Sequence, residues 1–253
     1  MARAKNQILT YGGKISMAGF QGKGYKIDIA FVIDATGSMH DLMANVKSHA
    51  LTMGDEIVKA LEDAGKNVEQ LRMRVIDFAD YATEGDEALR QTDFFVMPAQ
   101  KGDFDNAINK IDYEYRGGDI PENALEALYA AMISDWVKLT PRVDKGRHII
   151  VLMTDAYPLH LMERKGSMGY PEDELPPDVA ELQNVWNADE QDSKLSKNNK
   201  RLLLFAPEGD DGYGHSWNDV QAWENTVFTA VDPAKGLEDI PFDAIIAEIV
   251  RSC

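Results

Sequence analysis

The stretch Asp28–Met39, DIAFVIDATGSM, decides the fold. Ile27 to Ile33 is a nearly continuous apolar run rich in β-branched residues and broken only by Asp28, the pattern of a strand buried on both faces. Directly after it, Asp34, Thr36 and Ser38 alternate across a strand-to-helix turn, which lets three oxygen-bearing side chains share one concavity. From Met39 onward, Leu42, Val46, Ala50, Met53, Ile57 and Leu61 recur at three- and four-residue spacing and predict one long amphipathic helix.

The rest of the chain repeats this alternation. Arg72–Phe78, Phe94–Met97, His148–Met153, Arg201–Phe205 and Thr226–Val231 read as strands, and His148–Met153 and Arg201–Phe205 are apolar enough to be buried on both faces. Helical spacing marks Phe104–Ile111, Asn123–Val137, Val179–Trp186 and Phe242–Val250. Strand alternating with helix over the whole length predicts an α/β fold: a doubly wound, mostly parallel central sheet flanked by helices. Residues 1–25, carrying Gly12, Gly13, Gly19, Gly22 and Gly24, read as an N-terminal arm or hairpin, and 26–253 as one domain with an acidic, Pro-containing insertion around 157–200. Gly19–Gly24 lacks the Gly-Lys-Ser/Thr ending of a phosphate loop and precedes the first strand rather than following it.

Composition narrows the function. The chain has 253 residues with Lys+Arg 26 against Asp+Glu 43, a formal net charge of −17. That excess of acid opposes nucleic acid and anionic membrane surfaces, since both would repel it. The single cysteine, Cys253, makes neither an internal disulfide nor a thiolate metal site. Neither a secretory leader nor an apolar run of roughly 20 residues is evident, so the expectation is a cytoplasmic protein.

In an open α/β sheet, ligands bind beyond the carboxyl ends of the strands. Three loops there offer carboxylates and hydroxyls: Asp34-Ala35-Thr36-Gly37-Ser38, Thr154-Asp155, and Gly117-Gly118-Asp119-Ile120-Pro121-Glu122. An all-oxygen donor set of this kind suits Mg²⁺, with Mn²⁺ or Ca²⁺ as substitutes. Simpler readings exist for each loop. Thr36 or Ser38 would serve as an N-cap, and Asp119 with Glu122 would form a capping box. The five histidines, His40, His49, His148, His160 and His215, show no HExxH-like pairing; His148 reads as structural and His40 as a helix-surface residue.

The run DIAFVIDATGSM resembles the opening strand and metal loop of the von Willebrand factor type A (VWA) family, with its metal-ion-dependent adhesion site (MIDAS). By that resemblance Asp34, Thr36 and Ser38 match the first loop, Asp155 the third, and Gly117-Gly118-Asp119 stands where many members have Gly-Gly-Thr; Phe78-Ala79-Asp80 resembles the family's Phe-Ser-Asp. The pair DATGSM and GGDIPE is nearest to a bacterial, kinase-linked subset. The resemblance implies a Rossmann-like VWA fold and a Mg²⁺ held by Asp34, Thr36, Ser38, Asp119 and Asp155, with Glu122 as the alternative to Asp119. It also implies an open coordination position for a Glu or Asp of a protein partner. A kinase, phosphatase or ATPase of a bacterial stress or defence system is the companion it suggests, with no catalysis on this chain.

One enzymatic alternative remains at this level. Asp34-x-Thr36-Gly37-Ser38 also resembles the phosphorylated loop of haloacid-dehalogenase-like phosphotransferases, with Asp34 as nucleophile and Gly209-Asp210-Asp211-Gly212 and Asn218-Asp219 as a second acidic motif. Ala35 stands where the P-type ATPases have Lys, and GGDIPE has no role in that scheme.

Overall fold

The computed structural model describes residues 24–113, 121–140, 145–188, 194–232 and 240–253. Its sheet is built from β1 (Tyr25–Asp34), β2 (Val68–Phe78), β3 (Leu89–Gln91), β4 (Phe95–Met97), β5 (Lys145–Met153), β6 (Lys200–Pro207) and β7 (Thr226–Val231). The order is β3-β2-β1-β5-β6-β7, with β4 also paired to β2. β1 is parallel to β2 and β5, β6 to β5, and β7 to β6, whereas β3 and β4 run antiparallel to β2. The expected α/β, mostly parallel architecture is what the chain adopts. The antiparallel edge at β3 and β4 was not legible, because two three-residue strands carry too little pattern to show a direction.

Alternation along β1 assigns each face its helices. Ile27, Ile29, Phe31 and Ile33 pack with α1 (His40–His49), α2 (Met53–Asp63), α4 (Lys101–Asn109) and α8 (Phe242–Ser252). Ala30 and Val32 point the other way, toward α5 (Ala124–Met132), α6 (Val179–Asn187) and α7 (Asn218–Gln221). The short α3 (Tyr81–Glu84) follows β2. Asp28, the one break in the apolar run, is fully buried and satisfied: Arg72 donates to both its oxygens at 2.5 and 2.8 Å, and the Val137 amide at 2.6 Å. A buried charge is tolerable only when paired and hydrogen-bonded in this way.

Two expectations are corrected. The single long helix from Met39 is in fact a 3₁₀ turn at Gly37–Met39 followed by α1 and α2, broken at 50–52. There the Ala50 and Thr52 amides bond back three residues, to Lys47 and His49, so the chain tightens and bends while both apolar stripes stay on the same core. Helix α5 ends at Met132 rather than Val137, because tight turns at Ser134 and Trp136 replace its last turn; the Trp136 indole still donates to the Ala131 carbonyl. Tyr25 is the first residue of β1, and residues 1–23, on which the expected N-terminal arm falls, lie outside the described residues.

Candidate metal centre

The strand order reverses at β1: its chain continuation leads to β2 on one side while β5 lies on the other. Loops leaving β1 and β5 therefore diverge and open a crevice at their carboxyl ends. The register pairs Ile33 with Met153, which sets Asp34 beside Thr154.

Asp34 is fully buried and receives three hydrogen bonds. Its Oδ1 accepts from the Thr36 amide at 3.0 Å and the Thr36 hydroxyl at 2.6 Å, and its Oδ2 from the Thr154 hydroxyl at 2.6 Å. Thr36 Oγ1 lies 3.2 Å from Ser38 Oγ, and Ser38 donates to Asp155 Oδ1 at 2.9 Å. One chain of contacts thus links Asp34, Thr36, Ser38 and Asp155 across two loops. Thr36 does occupy the N-cap position of the 3₁₀ turn, but its side chain makes no cap bond and turns to Asp34 instead. The simpler capping role is not the one it plays.

Burial pushes the Asp34 carboxyl up to about 6, although the Thr154 and Thr36 hydroxyls oppose the rise and nearby Asp155 adds to it. Asp155 is also raised, mainly by burial, with the Ser38 hydroxyl opposing. Two desolvated carboxylates so close together favour a cation between them. Oxygen-only donors make a hard divalent ion the natural fit.

The second loop is partly in view. Asp119, with Gly117 and Gly118, lies outside the described residues. Glu122 is buried, and its backbone joins the loop after β5 through Glu122 N–Tyr157 O at 3.1 Å and Leu159 N–Glu122 O at 2.8 Å. Asn123 is the N-cap of α5, so Glu122 stands one residue before the cap rather than at the third helical position that a capping box needs. Asn123 Oδ1 accepts from the Tyr81 amide, fastening this loop to the end of β2.

Other singled-out residues have local roles. His148 is buried, bonded to the Val137 carbonyl and the Ser196 amide, and is structural as expected. His40 lies exposed on α1 beside Asp41. Asp80 caps α3 and pairs with Arg164 at 2.5 and 2.6 Å, anchoring the segment after β5 over the end of β2. Asp210 and Asp211 accept backbone amides within their own turn. The 157–200 segment is more than a solvated loop: Leu159, Leu161, Tyr170, Leu182, Trp186 and Leu195 are all buried.

The sheet order and the Asp-Ala-Thr-Gly-Ser loop at its switch point define a Rossmann-like α/β domain with an oxygen-rich loop at the end of its central strand. No protein-family model matches the sequence, and no curated protein matches it. Among solved structures the fold is similar to the pilus adhesin SpaC from Lactobacillus rhamnosus GG, with a TM-score of 0.55 and 12% identity over 91% of this chain and 31% of that one. The chain therefore spans about a third of the adhesin's length. Weaker similarity extends to proximal thread matrix protein 1 of the mussel byssus, with a TM-score of 0.41 and 16% identity over 89% of this chain and 46% of that one. A further structure of that mussel protein, at a TM-score of 0.40, has a zinc-occupied MIDAS motif. Among the described residues no helix is long and apolar enough to cross a membrane.

Proposed function

We propose that this chain is a non-enzymatic, Mg²⁺-dependent protein-interaction module of the VWA type, with Asp34, Thr36, Ser38 and Asp155 as metal-holding residues and Asp119 contributed by the second loop. The observation that carries this reading is the convergence of two loops distant in sequence: Thr36 donates to Asp34, Ser38 donates to Asp155, and the two hydroxyl oxygens lie 3.2 Å apart. A bound Mg²⁺ would supply one coordination position for a Glu or Asp carboxylate of a protein partner. Thr154 would orient Asp34 from behind by its 2.6 Å hydrogen bond. The DATGSM and GGDIPE motifs favour a partner from a kinase-, phosphatase- or ATPase-linked bacterial system.

An acidic second loop would neutralise more of the ion's charge than a threonine would, so the metal should be held tightly and the incoming carboxylate mildly. Calorimetric titration with Mg²⁺ tests this: Asp119→Thr should weaken binding, and unchanged affinity would reassign the role to Glu122. Affinity purification with and without chelator tests the interaction itself; a partner set indifferent to chelator refutes metal-mediated recognition. The phosphotransferase alternative predicts turnover of a phosphomonoester with Mg²⁺, and the local engagement of Asp210 and Asp211 argues against it.

A further inference from the structure

A second group of metal-ligating side chains lies outside the oxygen cage. His160 and Glu163 sit on the segment after β5, and His215 on the loop after β6. One ligand atom from each of the three lies within 4.8 Å of the others. Their placement is built rather than incidental. Arg164, next to Glu163, is fixed by its two bonds to buried Asp80. The His160 amide donates to Glu163 Oε2 at 3.1 Å, and the two histidine rings lie with centroids 4.8 Å apart. On the other loop, Asp211 grips His215 twice, through Oδ1 to its amide at 3.1 Å and through Oδ2 to Nδ1 at 2.6 Å. That leaves Nε2 directed at Glu163 Oε2, 3.0 Å away.

The geometry points to a Zn²⁺ site formed by His160, Glu163 and His215, with Asp211 as the carboxylate that orients His215. Two imidazoles and one carboxylate are donors that suit zinc rather than Mg²⁺. A carboxylate on the far nitrogen of a ligating histidine fixes the tautomer and turns the free lone pair toward the ion. His215 has carboxylates at both ring nitrogens, an arrangement that calls for a positive charge at Nε2, and a metal supplies one as well as a proton does. His160 and Glu163 are exposed, and so are free to close the last ångströms toward the spacing of roughly 3.3 Å that a tetrahedral zinc with bonds near 2.0 Å imposes on its ligands. A depression of about 730 Å³ around the cluster, walled by Pro121, Leu159, Met162 and Tyr213, gives the fourth position access to water or to a ligand. The site would clasp the loops after β5 and β6 together. It stands independently of the Mg²⁺ reading.

The test is calorimetric titration of the full chain with Zn²⁺ in saturating Mg²⁺, which keeps the oxygen cage filled. We expect one Zn²⁺ per chain and a rise in melting temperature. His160→Ala removes an exposed side chain, and with Glu163→Gln it should lower affinity roughly 100-fold; Asp211→Asn should lower it about 10–100-fold. Asp34→Ala should leave the event intact. No Zn²⁺ binding under these conditions, unchanged affinity in both His160→Ala and Glu163→Gln, or loss of the event in Asp34→Ala instead, would overturn the assignment. Co²⁺ in place of zinc gives an optical signature, which should vanish in His160→Ala while far-UV circular dichroism shows the fold retained.

Discussion

Asp34 holds the candidate centre together, because both its oxygens are committed to hydroxyls on two different loops. Replacing it with Ala should abolish the Mg²⁺-induced rise in melting temperature, since a ligand bound only to the native state stabilises by mass action. Differential scanning calorimetry with and without Mg²⁺ reads this directly. A second residue gives a pH prediction. Glu126 on α5 is buried and accepts from the Tyr170 hydroxyl at 2.7 Å, and burial pushes its carboxyl up to about 7 despite that bond. The folded chain therefore keeps a proton that the unfolded chain loses above its ordinary value near 4.5. Stability falls as pH rises from there to about 7 and then levels. Glu126→Gln removes that slope, so its melting temperature relative to the parent should improve between pH 4.5 and pH 8. A constant difference over that range would exclude Glu126 as the titrating group.

At the scale of elements, the region after β5 behaves as part of the core. Helix α6 begins with Asp178 capping the Glu181 amide at 2.9 Å, and its Trp186 is fully buried with the indole N–H donating to the Glu224 carbonyl at 2.9 Å. Trp186→Ala should destabilise the chain by about 3–5 kcal/mol, the range for deleting a large buried aromatic, as measured by urea unfolding. A loss below 1 kcal/mol would mean that α6 is only draped on the domain. Gly146, at the start of β5, makes a related point about close approach. An added Cβ there would meet the Lys26 carbonyl oxygen at 2.5 Å, which only a backbone shift relieves, and a Leu139 methyl at 2.6 Å, which a side-chain rotation can relieve. Gly146→Ala should accordingly lower the melting temperature although glycine is unfavourable in a strand.

For the molecule as a whole, the net charge of −17 and the crevice at the sheet's carboxyl edge pull in different directions. On the proposed reading, the acidic composition would favour a partner with a basic patch, whereas the metal position would take an acidic side chain from the same partner. Such a partner should be captured less as salt is raised, through screening, and be lost entirely on chelation. Capture that is sensitive to salt but not to chelator would assign recognition to the surface field alone.

The amino-acid sequence by itself determined the α/β layering and the loop at the end of β1. Both are local: apolar runs and helical spacing are read within a dozen residues, and Asp34, Thr36 and Ser38 lie within five. It also located Asp155 at the end of a strand, but the contact of Asp155 with Ser38 and of Thr154 with Asp34 exists only because parallel register sets β5 beside β1. The break between α1 and α2 escaped sequence reading because the apolar stripe continues through it, and the bend shows only in the hydrogen bonds. The meeting of His215 with His160 and Glu163 is tertiary, whereas His160 and Glu163 are neighbours in one turn. Their spacing carries no signal along the chain, and the crossover from β5 through α6 to β6 is what returns the two loops to the same edge of the sheet, where strand ends converge and side chains from distant segments come within reach of one ion.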